Sequence, residues 1–270
     1  MGVLNVTPDS FSDGGRFLAC DDALRQAEKL IRDGVDIIDI GGESSRPTGP
    51  YGDGAEQVTI EEETRRTAPV VEAVAKRFDV PISIDTVKSA VARSAIDAGA
   101  TAVNDVSGLR GDEDMLGVIT SSGASVFIMH TQGTPQTMQT APRYDDLIGE
   151  IRGFLADAAE GALAEGIPAD RIAIDPGLGF GKSYADNYEI ISRLPDFADL
   201  GYPLLIGPSR KTFVGVDFSL PPDQRDEGSL AALALCACAG ANIIRVHDVK
   251  SARRALFVAD RVHFRHALTR

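Results

Sequence analysis

The feature that most constrains this chain is a strict alternation of two kinds of segment. Eight short strand-like runs occur at Val3 to Val6, Val35 to Ile40, Ile82 to Asp85, Ala102 to Val106, Ser125 to His130, Arg171 to Asp175, Pro203 to Gly207 and Asn242 to His247. Amphipathic stretches with helical periodicity follow them, around 21–34, 60–78, 88–99, 112–122, 144–166, 184–194, 226–240 and 248–267. Thr59-x-x-Glu62 gives the second of these a capping-box start. Parallel strands need crossover helices, and runs this continuously apolar suit a sheet covered on both faces. The pattern predicts an α/β chain folded as a (β/α)8 TIM barrel, a single domain over residues 1–270. A doubly wound open sheet is the alternative, and the lack of a Gly-x-Gly-x-x-Gly signature after the first strand counts against it.

Composition narrows the function classes. Of 270 residues, 43% are apolar, enough for a substantial core without covalent staples, and the three cysteines, Cys20, Cys236 and Cys238, form no disulfide framework. A net charge of −13 speaks against nucleic acid or an anionic membrane as partner, while leaving room for a local basic pocket. No run approaches about 18 apolar residues and no basic segment precedes an apolar one near Met1, so a cytoplasmic location is expected. His263 and His266 lie three apart on the terminal amphipathic stretch, where they read as solvated, and no cluster has the spacing of a permanent zinc site.

In a barrel of this kind the loops after the strands share one rim, and that rim carries the chemistry. The strand ends bring to it Asn5, Asp39, Asp85, Asn104 with Asp105, His130, Asp175, the run Ser209-Arg210-Lys211, and Arg245 with His247. Any one of them could be a cap or a core-satisfying group. So many polar residues delivered to one end and buried there need a ligand or one another. The loops at 7–19 and 43–58 are long for a compact barrel and are read as mobile covers.

Several of these segments also resemble one family. Met1 to Gly15, Gly41-Gly42-Glu43-Ser44-Ser45-Arg46-Pro47, Ser83-Ile84-Asp85-Thr86, Asn104-Asp105-Val106, Met129-His130, Asp175 to Lys182, Ser209-Arg210-Lys211 and Arg245-Val246-His247-Asp248 are similar, in order and spacing, to the motifs of dihydropteroate synthase. The likeness runs from the first residue to the end of the eighth strand. It implies an enzyme of folate synthesis that joins 6-hydroxymethyl-7,8-dihydropterin diphosphate to p-aminobenzoate and releases diphosphate with Mg2+ as cofactor. Carried over residue by residue, it puts Asp85, Asn104, Asp175 and Lys211 on the pterin. Asn5, Ser45, Arg46, Arg245 and His247 fall to the diphosphate, with Asn5 also the magnesium contact. Phe11, Pro47, Phe180 and Ser209 fall to p-aminobenzoate, and Asp85, Lys211, Arg245 and His247 are the expected catalytic group.

The residues suit that chemistry. A carboxylate accepts two N–H bonds from an aminopyrimidinone edge, and a departing diphosphate calls for cations. With no Ser/His/Asp or Cys/His arrangement evident in the sequence, a dissociative route is expected, in which diphosphate leaves before the arylamine attacks. Ser45 stands where many members carry Thr, and the glycine-rich piece through Gly54 is longer than is common; sulfonamide response is left open by both. The stretch Leu230 to Ala239 is apolar nearly all round, and the family commonly forms a homodimer through this side, around 226–240. Two other functions share the barrel: a pterin-binding methyltransferase domain working beside a cobalamin partner, and a non-catalytic pterin binder.

Overall fold

The computed structural model describes residues 1–7, 16–44, 48–49, 52–53, 58–133, 137–138 and 140–263. Among these residues eight parallel strands line the centre: β1 (Gly2–Asn5), β2 (Ile38–Gly41), β3 (Ile82–Asp85), β4 (Ala102–Asp105), β5 (Ser125–Met129), β6 (Ile172–Asp175), β7 (Leu205–Ile206) and β8 (Ile243–Ile244). The first six form one sheet in chain order, with Asn5, Gly41, Asp85, Asn104, Phe127 and Ala173 side by side. β7 and β8 pair with each other. Two parallel bridges, Ile174 with Leu204 and Gly2 with Val246, join that pair to both free edges of the six. The bonds Ile174 N–H to Pro203 O (2.9 Å) and Val3 N–H to Val246 O (3.0 Å) close the ring. The sheet is therefore a barrel, and the open-sheet alternative is excluded.

Helices follow the strands: α1 (Arg16–Arg32), α2 (Ile60–Arg77), α3 (Ser89–Asp97), α4 (Met115–Ser122), α5 (Leu147–Ala164), α6 (Tyr184–Ser192), α7 (Asp226–Cys238) and α8 (Val249–His263). Local chemistry sets their ends. Thr59 caps α2 by accepting the Glu62 N–H, and Ser183 with Asp186 forms a reciprocal capping box on α6. At the C-terminus of α1, Gly34 at φ +91° lets Gly34 N–H reach Ile31 O and Val35 N–H reach Leu30 O, a Schellman closure that turns the chain into the next strand. The same pair of bonds recurs at Gly99, Gly166 and Gly240, at the ends of α3, α5 and α7. Val35 is consequently helix cap rather than strand, and β2 begins later than its apolar run does. Pro195 ends the α-helical pattern of α6, and a 3-10 segment, Leu194–Leu200, continues from it. Within the second long loop Thr48–Gly49 pairs antiparallel with Gly52–Asp53, a ribbon that its glycine-rich composition does not announce.

Strand side chains alternate between two environments. Leu4, Ile40, Ile84, Val103, Val126 and Ile174 face the helices in the main core. The opposite set faces the barrel axis, where Met1, Ala102, Phe127, Ala173 and Leu205 plug the end at which the strands begin. Above that plug the axis-facing residues include Asp39, Asp85, Asn104, Asp175 and Arg245. On the outside, α8 packs along α7 but leaves Leu235 61% exposed, beside an apolar groove of about 620 Å³ between α6 and α7 lined by Tyr188, Ile191, Phe213, Ala231 and Leu235. Cys20, Cys236 and Cys238 are free thiols. Among the described residues no helix is long and apolar enough to cross a membrane.

Candidate active site

The polar layer is organised by Asp39. Its carboxylate is fully buried and accepts from Ser83 Oγ (2.6 Å), Asn104 Nδ2 (3.2 Å) and Arg245 Nε (2.6 Å). Arg245 spans two strands' worth of acid, for its Nη2 also donates to Asp85 Oδ2 at 2.7 Å. Burial would lower the arginine's pKa, but Asp39 and Asp85 outweigh it and hold the group above its ordinary value. Asp85 moves the other way. Burial, reinforced by the neighbouring Asp39, pushes its pKa up to about 7 against the pull of Arg245. Asp39 and Asp85 thus hold Arg245 from two strands, and burial makes Asp85 keep its proton more firmly than an exposed carboxylate would. At Gly41 an added Cβ would lie within 4 Å of both Asn5 Oδ1 and Asp85 Oδ2. The missing side chain keeps the rim clear between those two residues.

A second cluster forms where β6 ends. Asp175 is buried, accepts the Gly177 N–H at 2.7 Å, and has its pKa raised by burial, with Lys211 the largest opposing influence. The turn after it is held from two sides. Lys211 donates to Leu178 O and sits 4.5 Å over the Phe180 ring. From the β5 side, Tyr144 donates to Gly181 O at 2.7 Å, and the backbone approaches so closely that a Cβ at Gly177 would lie 2.0 Å from His130 O. Gly177 at φ +73° is required there twice over, by conformation and by space. Burial lowers the Lys211 pKa to about 8.

On the third side of the rim, Ser209 and His247 meet although 38 positions apart. Ser209 Oγ accepts the His247 N–H (3.2 Å) and lies 3.0 Å from its Nδ1. A hydroxyl proton directed at Nδ1 would leave the imidazole proton on Nε2.

Asn5, Asp85, Asn104, Asp175, Lys211, Arg245, His247, Ser209 and Phe180 therefore gather at one end of the barrel. Phe11, Ser45, Arg46 and Pro47 lie outside the described residues. Three residues of the strand-end set turn elsewhere. Asp105 follows inward-facing Asn104, so alternation sends it toward the helices, where it accepts from Ser107 N and Oγ. Arg210 adopts a left-handed backbone (φ +58°) and pairs with Asp226 at 2.9 Å, anchoring its loop to α7. His130 bonds Lys182 Nζ through Nδ1 at 2.9 Å. Two residues carry more than their sequence positions suggested: Asp39, detectable as the inward member of Asp39-x-Gly41, and Lys182, fully buried despite a glycine-rich setting. The Ser209–His247 pair follows from the direct pairing of neighbouring strands β7 and β8, after which the two residues lie.

The family model described as "Pterin binding enzyme" matches residues 1–247. A curated dihydropteroate synthase of Synechocystis is 44% identical over 261 residues, 96% of this chain and 88% of that one. The Yersinia pestis dihydropteroate synthase solved with a sulfonamide drug superposes with a TM-score of 0.90 at 44% identity, covering 98% of this chain and 94% of that one. The Xanthomonas albilineans dihydropteroate synthase in complex with 7,8-dihydropteroate superposes with a TM-score of 0.84 at 40% identity, covering 97% and 92%. With that extent of likeness, and with the matched motifs converging on one rim, this chain belongs to the pterin-binding enzymes, among the dihydropteroate synthases, and is a transferase of folate biosynthesis.

Proposed function

We propose that the rim condenses 6-hydroxymethyl-7,8-dihydropterin diphosphate with p-aminobenzoate, giving 7,8-dihydropteroate and diphosphate. The observation that carries this reading is the presence of two opposite subsites on one rim: a buried carboxylate, Asp175, with buried Asn104 two strands away, and an acid-clamped cation, Arg245, near His247. The product bound by the Xanthomonas albilineans enzyme and the sulfonamide bound by the Yersinia pestis enzyme support it. Asp175 accepts two N–H bonds from the aminopyrimidinone edge. Asn104 has its amide nitrogen committed to Asp39, which turns Oδ1 into an acceptor for a ring N–H. Arg245 and the Nε2–H of His247 donate to diphosphate oxygens, and Lys211 reaches the pterin ring from over Phe180.

The step that follows is dissociative. The carbon–oxygen bond breaks with both electrons going to diphosphate, and the methylene cation is delocalised into the electron-rich dihydropterin. The arylamine nitrogen then attacks that carbon and loses a proton to solvent. A magnesium ion brought by the diphosphate would be held at Asn5. Asn5 offers one neutral oxygen, which fits an ion that keeps most of its waters and takes phosphate oxygens. When bound, it neutralises charge on the leaving group. Ser209 tests the absence of covalent catalysis, because it is paired with an imidazole. Ser209→Ala is expected to raise the p-aminobenzoate KM about tenfold with kcat within about threefold. A loss of kcat of several orders would show that the hydroxyl is a nucleophile.

A second copy of this chain is proposed to cover the α6–α7 groove, with no nucleic acid or membrane as partner and the cytoplasm as location. Leu235→Asp is expected to convert a dimer to a monomer in analytical ultracentrifugation; a wild-type monomer at every concentration would reject the dimer. The activity itself is tested by incubating purified protein with both substrates and Mg2+ and measuring dihydropteroate by chromatography, with a sulfonamide as competitor. Product that disappears with sulfonamide is expected. No product, or methyl transfer from a pterin donor instead, rejects the reading.

A further inference from the structure

We infer that Lys182 is a positioning residue whose ammonium, from behind the site, holds Asp175 in the anionic form that accepts the pterin; the inference rests on the pterin reading above. Lys182 is fully buried, and its Nζ meets His130 Nδ1 (2.9 Å), Phe180 O (2.9 Å) and His130 O (3.4 Å). None of these partners is an anion. A buried ammonium whose N–H groups go to neutral acceptors still needs a counter-charge. Asp175 shares this corner, for its carbonyl accepts the His130 N–H at 2.8 Å. The Asp175 carboxylate, in turn, accepts a backbone N–H, and among the described residues no cation lies within ion-pair distance of it.

The surrounding charges are arranged to make this coupling count. Asp175 faces Lys211 after β7, Arg245 of β8, Lys182 and the Cys236 thiol of α7. Lys182 faces Asp175, Asp186 of α6, Lys211 and His130. His130 stays neutral, because burial, Lys182 and Arg110 push its pKa down to about 2, so its Nδ1 accepts and the lysine donates. Burial lowers the Lys182 pKa to about 7, with Asp175 the largest opposing influence. The lysine is therefore charged below neutrality, where burial otherwise favours the protonated form of Asp175, which cannot accept two N–H bonds.

Lys182→Gln keeps two N–H donors and removes the charge. In calorimetric titrations with 6-hydroxymethylpterin, the variant's Kd at pH 5 is expected to be about tenfold above wild type, with the two within about twofold at pH 7.5. A purely structural role would weaken binding equally at both pH values, and that result would overturn the inference. The reciprocal measurement needs neither that variant nor a ligand. Asp175→Asn should lower the Lys182 pKa by about one unit, read from the lysine 13Cε shift; an unchanged value would overturn the inference. Wild-type protein that binds no pterin at any pH would overturn the functional reading instead, and the lysine titration would still decide whether the two charges are coupled.

Discussion

Asp175→Asn is expected to cost about 3–4 kcal/mol of pterin affinity, several hundredfold in Kd, with the fold intact. The substitution keeps the shape of the side chain and replaces one acceptor oxygen with an NH2 group. In the pocket that NH2 faces the donors of the pterin edge, so one hydrogen bond is lost and a buried donor is left opposing another. The free protein pays little. Asp175 has its pKa raised by burial, so it is a group whose contribution to stability fades as pH rises through the folded value, and its removal relieves that cost at neutral pH. Thermal melting at or above the wild-type temperature at pH 8, where Lys182 has largely lost its charge, together with the calorimetric loss, is the expected combination. Near-normal pterin binding would remove Asp175 from the site.

Arg245→Met is expected to lower kcat/KM about 1,000-fold or more and to destabilise the chain by about 3 kcal/mol at pH 8. Both effects come from the same clamp. The guanidinium is the cation aimed at the leaving group, and it is also the partner that leaves Asp39 and Asp85 tolerable inside the barrel. Without it Asp85, already raised to about 7, rises further. An aspartate with a raised folded pKa contributes stability that is present below its unfolded value and lost as pH rises through the folded one. The destabilisation should therefore shrink at pH 5, where Asp85 takes up a proton. Urea unfolding at the two pH values, beside steady-state kinetics, checks the prediction. A stability loss that is the same at both would mean that Asp85 is not the group released.

Much of the barrel was legible because its signals are local. Each strand-like run is bounded by residues that act over a few positions: Gly34, Gly99, Gly166 and Gly240 close the preceding helix by left-handed turns, and Pro195 stops α6. The rim was legible because strand ends in a parallel barrel share one face, so Asn5, Asp85, Asn104, Asp175 and Arg245 could be grouped before any geometry was known. Depth and partnership were not. Whether Asp39 reaches a ligand or supports Arg245 depends on the register across three strands. Asp105 and Arg210 sit beside true rim residues, and only alternation in one case and a left-handed backbone in the other turn them away. Lys182 follows a glycine turn, where a lysine ordinarily reaches solvent; its burial comes from packing between the loops after neighbouring strands β5 and β6, where His130 and Lys182 lie 52 positions apart in sequence. Phe11, Ser45, Arg46 and Pro47 remain expectations from resemblance.

The central claim is that a pterin held by Asp175 loses diphosphate at Arg245 and then meets the arylamine. Diphosphate release measured by rapid quench, with and without p-aminobenzoate, tests it most directly. Release in step with dihydropteroate when the arylamine is present, and slower release when it is absent, is the predicted result. Dependence of all diphosphate release on p-aminobenzoate would contradict the dissociative order, and no release under either condition would contradict the assignment of this rim.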